Sequence, residues 1–236
     1  MLKIQSLSTG IRKSNILHNH LSFHLEQGET LLLVGTNGIG KSILLKTILG
    51  HLNPIQGSVF LGDENIHHLD HSSRAALISL MLATPPQIEY MNGLEVAITG
   101  RQRFLSQWDK SQSQNEEIVL NFAKKFQMES LLSKRFSEMS DGEKQKIMFI
   151  RCLIQETPLI LLDEPLAFLD YPSKLHFLEQ LQLHCKSTGT IAIISSHEIE
   201  LSQKYSQKLL WLKQSTKSEW FDNPMEFNPA VWINNE

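Results

Sequence analysis

The stretch that decides the fold is Gly35-Thr36-Asn37-Gly38-Ile39-Gly40-Lys41-Ser42. It fits the pattern G-x-x-x-x-G-K-[ST] in full, between an apolar run at 31–34 and helical apolar spacing over 41–49. In such a strand–loop–helix unit the glycines let the backbone curl, so that several N–H groups and the helix N-terminus point at phosphate oxygens. The sequence therefore predicts a phosphate loop at residues 35–42.

The end of the phosphate loop carries the two side chains with the clearest chemistry. Lys41 is expected to reach the β- and γ-phosphates of a nucleoside triphosphate. The hydroxyl of Ser42 is expected to ligate Mg²⁺. A glycine turn followed by an incidental Lys-Ser pair is the competing interpretation, and the strand and helix on either side disfavour it.

Two acids and a histidine follow further apolar runs. Residues 159–162 are typical of a buried strand, which ends in Asp163-Glu164. We expect Asp163, on a strand beside the phosphate-loop strand, to lie near Ser42 and hold Mg²⁺ directly or through water. Glu164 can orient or deprotonate an attacking water. His197 follows the run at 191–195, at a C-terminal strand edge where ligands bind in open α/β sheets.

Composition narrows the class of protein. The 236 residues carry a formal net charge of −3, with 41% hydrophobic and 20% charged residues, as in ordinary globular proteins. Near-neutral charge argues against sequence-independent nucleic-acid binding, which needs clustered Lys and Arg. The longest apolar runs are strand-sized, so we expect a soluble protein, with another chain spanning any membrane it serves. Cys152 and Cys185 are predicted to be reduced packing residues.

Periodicity predicts how the chain is organised. Strands alternating with helices, including a helix over 173–185, predict an α/β fold with a mainly parallel sheet. More alternating segments near the N-terminus predict an antiparallel β layer beside it. From about 85 to 156 helical spacing replaces the strand pattern, at 93–99, 116–126 and 142–155, and 107–117 is predicted to be a surface loop or frayed helix end. We therefore expect one domain over 1–236, with a core of 1–84 and 157–236 and a helical subdomain at 85–156.

A known family is suggested by Met139-Ser140-Asp141-Gly142-Glu143-Lys144-Gln145, which we call the signature segment. It resembles the signature loop of ABC-transporter ATPase subunits. The order of motifs also agrees: phosphate loop, helical insert with signature, Asp163-Glu164, Leu169-Asp170 like the family's D-loop, and His197 like its switch histidine. The resemblance covers roughly residues 1–212 and implies the P-loop NTPase ABC-cassette fold.

The resemblance implies a mechanism in which two copies meet head to tail. ATP on the phosphate loop of one copy is closed over by Ser140, Gly142 and the helix N-terminus of the other, where backbone N–H groups suit a γ-phosphate. Glu164 would be the general base, His197 would contact the γ-phosphate and align the water, and Asp170 would bridge the copies. The implied ATP-binding set is Gly35, Thr36, Asn37, Gly38, Ile39, Gly40, Lys41, Ser42, Ile43, Ser140, Asp141, Gly142 and Glu143, and the implied Mg²⁺ set is Ser42, Asp163 and Gln87.

Several positions depart from the family pattern. Where the family usually has an adenine-stacking aromatic this chain has Ile11, so the base is held loosely or by Arg12. Counting back from Gly100-Arg101 puts Ala83 or Thr84 at the place of the Q-loop glutamine, and Gln87 lies a few residues later. Three further replacements are Ile43 for a threonine, Asp141 for the first signature glycine and Leu166 for a threonine. Lys41, Asp163, Glu164 and His197 all remain, so hydrolysis is expected to survive.

The branch of the family follows from residues 140–146, 164–170 and the Gly100-Arg101 pair, which look most like ATPases for uptake of iron chelates, haem and cobalamin. The partners implied are transmembrane permease subunits, a second copy of this chain and, indirectly, a substrate-binding protein, with no nucleic acid. The location implied is peripheral, on the cytoplasmic side of the cell membrane. The permease is expected to dock near 83–91.

Other functions stay open at this point. The cassette could serve an exporter or a process other than transport. DNA-repair and chromosome ATPases of this type carry long coiled coils, and no sustained heptads are present. Translation factors of the superfamily carry two cassettes, whereas this sequence has one phosphate loop. A small-molecule kinase would leave 140–145 unexplained, and a non-catalytic nucleotide sensor would more plausibly have lost Glu164 or His197.

Overall fold

The computed structural model describes residues 1–12, 15–104, 112–213 and 218–230. In chain order its strands are β1 (Leu2–Arg12), β2 (Asn15–Leu25), β3 (Thr30–Val34), β4 (Gln56–Leu61), β5 (Glu64–Asn65), β6 (Ile78–Met81), β7 (Leu159–Asp163), β8 (Ile191–Ser195), β9 (Lys208–Trp211) and β10 (Glu219–Phe221). Its α-helices are α1 (Lys41–Ile48), α2 (His71–Leu77), α3 (Gly93–Ile98), α4 (Gln112–Lys125), α5 (Asp141–Leu153), α6 (Tyr171–Thr188) and α7 (Ile199–Ser202). Within the described residues, every helix is too short or too polar to cross a lipid bilayer.

The centre of the molecule is a six-stranded sheet in the order β10-β9-β3-β8-β7-β6, in which only the β9–β10 pair is antiparallel. Its central strands are buried on both faces. Leu159 and Leu161 of β7 pack with the antiparallel layer and α1, whereas Ile160 and Leu162 pack with the helical side. Successive side chains of a strand point to opposite faces, so a strand covered on both sides needs an unbroken apolar run.

A four-stranded antiparallel sheet, β2-β1-β4-β5, covers one face of the central sheet. Helices α3, α4 and α5 fall between β6 and β7 and pack with α6 over the other face. Helix α3 begins with a capping box, in which Asn92 accepts from the Glu95 N–H and Glu95 accepts from the Asn92 N–H. Gly189, in the left-handed conformation, ends α6.

The predicted fold class is confirmed: a mainly parallel central sheet, an N-terminal antiparallel layer and an inserted set of helices. The predicted domain limits, 1–84 with 157–236 and 85–156, stay a prediction.

Of the polar stretch 107–117, residues 112–117 belong to α4 and the rest lie outside the described residues. Helices α2 and α7 and strands β5, β6, β9 and β10 were not predicted from the sequence. Both cysteines are free and buried, and burial raises the pKa of Cys152 to about 11 and that of Cys185 to about 12.

One prediction about the sheet was wrong. We expected Asp163 on a strand beside the phosphate-loop strand, but β8 lies between β3 and β7 and pairs in parallel with both. Strands pair through main-chain hydrogen bonds, which every apolar run can make, so local sequence does not encode which strands are neighbours. The acidic pair therefore reaches the phosphate loop across the end of β8.

Folding stability is expected to fall in mild acid because of His184. This side chain lies in α6 with its ring 5.9 Å from that of Phe122 in α4, and burial lowers its pKa to about 4 from the ordinary 6.5. Between these values the unfolded chain binds a proton that the folded chain does not, so each pH unit of acidification there costs about 1.4 kcal/mol of unfolding free energy. Urea denaturation at pH 7, 6 and 5 measures the slope.

The control for this prediction is His184→Leu, which keeps an apolar contact with Phe122 and removes the titrating ring. Burial also lowers the pKa of His18 and His67, so the variant should flatten the pH dependence of stability without abolishing it. An unchanged slope in the variant would contradict the assignment to His184.

Candidate functional site

The phosphate loop joins β3 to α1 and depends on its glycines. Gly38 and Gly40 have φ angles of 77° and 106°, in the left-handed region that favours glycine. A methyl group at Gly40 would lie 2.9 Å from both His18 Nε2 and Leu17 Cδ1 of β2. The antiparallel layer therefore packs directly against the loop, and a larger residue at position 40 would strain the backbone and displace both side chains.

Three side chains from three elements meet beside the phosphate loop. Lys41, only 7% exposed at the start of α1, donates from Nζ to the Gly35 carbonyl oxygen at 2.7 Å. The same Nζ lies 3.5 Å from Glu164 Oε1 and 3.1 Å from His197 Nε2. His197 Nε2 is in turn 3.2 Å from Glu164 Oε1. The cation that would bind phosphate, the candidate base and the histidine thus lie within reach of one reacting group.

The acidic pair is held by a residue that the sequence analysis assigned no role. Ser195 Oγ donates to Asp163 Oδ1 at 2.7 Å and accepts from the Glu164 N–H at 2.9 Å. Ser195 is fully buried at the end of β8, directly opposite Asp163 in the β7–β8 register. In the sequence, the position of the Ser195 hydroxyl at the end of a buried apolar run could have marked it as a candidate site residue. That it bonds to Asp163 could be found only from the order of the strands.

Glu164 has a strained backbone. Its φ is 49°, in the left-handed region, which typically costs a non-glycine residue about 1–3 kcal/mol. The conformation is held at both ends: its N–H donates to Ser195, and its carbonyl accepts from Gln145 Nε2 at 3.4 Å and from the Ala167 N–H at 3.1 Å. In this conformation the Glu164 carboxylate lies beside Lys41, whereas the carboxylate of the preceding residue, Asp163, accepts from Ser195.

The signature segment surrounds the N-terminus of α5. Ser140 is the N-cap, its Oγ accepting from the Glu143 N–H at 3.3 Å, while Glu143 Oε2 accepts from the Ser140 N–H at 2.8 Å. The Lys134 ammonium, 2.8 Å away, and the Ser140 N–H lower the pKa of Glu143. A methyl group at Gly142 would lie 2.5 Å from the Phe168 carbonyl oxygen, so only glycine allows this approach to the D-loop.

Two of the residues assigned to Mg²⁺ belong to the same edge of the central sheet: Ser42 in the first turn of α1, which follows β3, and Asp163 at the end of β7. Asp163 is 5% exposed, and its carboxylate with the Ser42 hydroxyl is a hard-oxygen donor pair of the kind that Mg²⁺ prefers. Gln87 is exposed in loop 82–92, and its role as a ligand stays a prediction. The assigned roles toward ATP of the phosphate loop and of Ile43, Ser140, Asp141, Gly142 and Glu143 likewise stay predictions.

Three further residues were assigned to contacts with the adenine base or with a second copy of the chain. Ile11, at the position assigned to adenine stacking, is 68% exposed in β1. The side chain of Arg12, the alternative contact for the base, lies outside the described residues. Asp170, expected to bridge two copies, caps α6 in its own chain by accepting from the Ser173 N–H at 3.2 Å, and its hydrogen bonds to Ser173 lower its pKa.

Comparisons with known proteins agree on one family. The family model described as ABC transporter matches residues 18–167. The chain is 33% identical over 213 residues to the uncharacterized ABC transporter ATP-binding protein MJ0873 of Methanocaldococcus jannaschii, covering 90% of this chain and 73% of that protein. It is 29% identical over 216 residues to the achromobactin transport ATP-binding protein CbrD of Dickeya dadantii, covering 90% and 78%.

A solved structure shares the fold. The ATP-binding cassette MJ0796, in a dimeric post-hydrolysis state bound to ADP and Pi, superposes with a TM-score of 0.80 at 20% identity. The match covers 93% of this chain and 98% of that one.

Proposed function

The chain belongs to the ABC transporter family, whose cassettes hydrolyse ATP to power transport, and from that premise we propose that it works as half of a two-copy ATP sandwich on a permease. The observation that carries this proposal is the meeting of Lys41, Glu164 and His197 at the edge of the central sheet. Lysine binds phosphate as a point charge. A carboxylate beside it can take a proton from water attacking the γ-phosphate.

The chemistry divides among the chain's own residues. Lys41 and the loop N–H groups bind phosphate, Glu164 accepts the proton of the attacking water, and His197 contacts the γ-phosphate and aligns that water. Ser42 and Asp163 would hold Mg²⁺, which when bound neutralises phosphate charge. The signature segment of the second copy, with the N-terminus of α5, completes the site on the far side of the nucleotide.

Mixing two inactive variants tests the sandwich. Lys41→Ala loses its own phosphate site, and Ser140→Leu loses the signature contact, so each should hydrolyse ATP at a few per cent of the parent rate or less. In a mixed dimer the phosphate loop of the Ser140→Leu copy faces the intact signature of the Lys41→Ala copy. We expect mixing to restore up to about a quarter of the parent rate, because random pairing makes half of the dimers mixed and each has one working site.

The result that would overturn the sandwich is equally clear. Full activity of Ser140→Leu alone, or a mixture no more active than the sum of its parts although both variants fold, would show that one copy hydrolyses ATP unaided. The measurement is steady-state phosphate release at fixed total protein over a series of mixing ratios.

The transported ligand is proposed from relatedness. We infer import of a metal-chelate-type ligand, an iron-siderophore, haem or cobalamin, since CbrD is named for achromobactin transport and the signature region resembles that branch. The alternative is the ATPase of an exporter. Deleting the gene should abolish uptake of a labelled ferric siderophore, haem or cobalamin. Normal uptake of all three with slowed efflux of another compound would favour export.

The proposed permease contact is loop 82–92, on the cytoplasmic side of the membrane. Tyr90 is 93% exposed and Leu82 is 48% exposed, so the loop offers two large side chains to a partner. The loop lies between β6 of the core and α3 of the helical insert, so a permease element seated there would contact both parts.

A further inference from the structure

The start of α5 touches the segment that carries the catalytic glutamate at three points within one chain. The Gly142 Cα lies against the Phe168 carbonyl, Gln145 Nε2 donates to the Glu164 carbonyl at 3.4 Å, and Lys146 Nζ donates to Ser173 Oγ at 2.9 Å. Positions 142, 145 and 146 are three and four residues apart and therefore share one face of the helix. The signature helix and residues 164–173 are thereby joined along that face.

Gln145 is the central contact of this face. It is 1% exposed, and in the described part of the chain its Oε1 is buried without a hydrogen-bond partner. Leaving a buried polar atom unsatisfied costs folding free energy, so an apolar residue of the same shape would serve stability at least as well. Stability therefore does not account for a glutamine here, whereas its bond to the strained Glu164 does.

We propose that Gln145 is a positioning residue for ATP hydrolysis that acts on Glu164 of its own chain. Ser195 holds the N–H of Glu164, and Gln145 together with the Ala167 N–H holds its carbonyl. Gln145 thus brings the signature helix into the set of bonds that fix this left-handed backbone, in which the carboxylate lies beside Lys41. Given the sandwich proposed above, the helix that meets the nucleotide of the other copy also positions the base for its own nucleotide. Gln145 thus links the two sites.

The first test separates positioning from stability. Gln145→Met keeps the side-chain shape and removes the N–H donor. We expect kcat to fall about tenfold while the Kd for fluorescent ATP stays within about twofold and the Tm is unchanged or higher. The matched control is Gln155→Met, whose amide donates to the Arg151 carbonyl one turn earlier and which should leave all three values unchanged. If kcat holds, or falls only together with Tm or ATP affinity, the proposal is wrong.

The second test shows which copy Gln145 serves. In the mixed dimer of Lys41→Ala and Ser140→Leu, the working site uses Glu164 of the Ser140→Leu chain. Adding Gln145→Met to that chain should lower the restored rate about tenfold, and adding it to the Lys41→Ala chain should not. The reverse result would mean that Gln145 acts through the signature contact and would overturn the proposal.

The two proposals fail in different ways. If the mixture restores no activity, the sandwich fails, and the first test still decides whether Gln145 positions Glu164. If Gln145→Met does not fold, Gln145→Leu repeats both tests with a smaller apolar side chain. A cycle with Ser195→Ala adds a check, because two residues that pin the same backbone unit should have strongly non-additive effects on kcat. Additive effects would contradict a shared action on Glu164.

Discussion

Lys41→Ala should abolish ATP binding, raising the Kd by about 100-fold or more. The ammonium is nearly buried, and it lies where its bonds to Gly35 and its contact with Glu164 can be exchanged for phosphate oxygens. Hydrogen bonds to charged groups are worth about 1.5–3 kcal/mol each, and two such bonds account for a loss of this size. Titration with a fluorescent ATP analogue measures the Kd.

The matched control is Lys46→Ala, which removes an exposed lysine from the same helix and should leave the Kd unchanged. Circular dichroism distinguishes lost binding from lost folding. Near-parental affinity in a folded Lys41→Ala would mean that the phosphate loop is not the nucleotide site, and the interpretation of the whole sheet edge would fail with it.

Much of the fold could be predicted because its elements leave periodic signals. The runs at 31–34, 159–162 and 191–195 are apolar throughout because each strand is covered on both faces. The phosphate loop could be identified from eight residues, since its conformation demands glycines at fixed spacing. Helical apolar spacing placed α3 at 93–99 and α5 at 142–155, within two residues of their observed ends, Gly93–Ile98 and Asp141–Leu153.

What the sequence did not predict depends on contacts between distant segments. The insertion of β8 between β3 and β7 has no local signal in the sequence. The bond from Ser195 to Asp163 depends on that strand order and was therefore not predictable. The left-handed φ of Glu164 is equally hidden, because glutamate has no preference for it and the bonds from Ser195 and Gln145 come from other elements. Gln145 is polar in a helix and gives no sign of its burial.

Those hidden contacts have a common consequence. Asp163 and Glu164 are adjacent in sequence yet serve different partners, because Ser195 bonds to the carboxylate of the first and the N–H of the second. The left-handed turn at Glu164 is accompanied by a contact between its own carboxylate and Lys41. Backbone geometry, rather than residue type, therefore separates the carboxylate that we propose for metal binding from the one that we propose for proton transfer.

Glu164→Gln is expected to lower kcat by roughly 100- to 10,000-fold, the range for loss of a general base, while ATP binding persists. Glutamine keeps the shape of the side chain and its backbone bonds but cannot accept a proton from water. The bound triphosphate then stays intact, so the sandwich should accumulate as a stable dimer. Size-exclusion chromatography with ATP and Mg²⁺ detects the dimer, and phosphate release gives kcat.

Glu200→Gln, an exposed change three residues beyond His197, is the control and should hydrolyse ATP at the parental rate without accumulating as a dimer. If Glu164→Gln loses activity but forms no dimer, Glu164 remains the proposed base. The same result would count against the two-copy ATP site. Retained activity would show that the carboxylate beside Lys41 and His197 is not the proton acceptor. Glu164→Gln removes a negative charge from a site that binds a polyanion, so the affinity for ATP should rise. A higher Kd in this variant would contradict the proposed placement of Glu164 against the γ-phosphate.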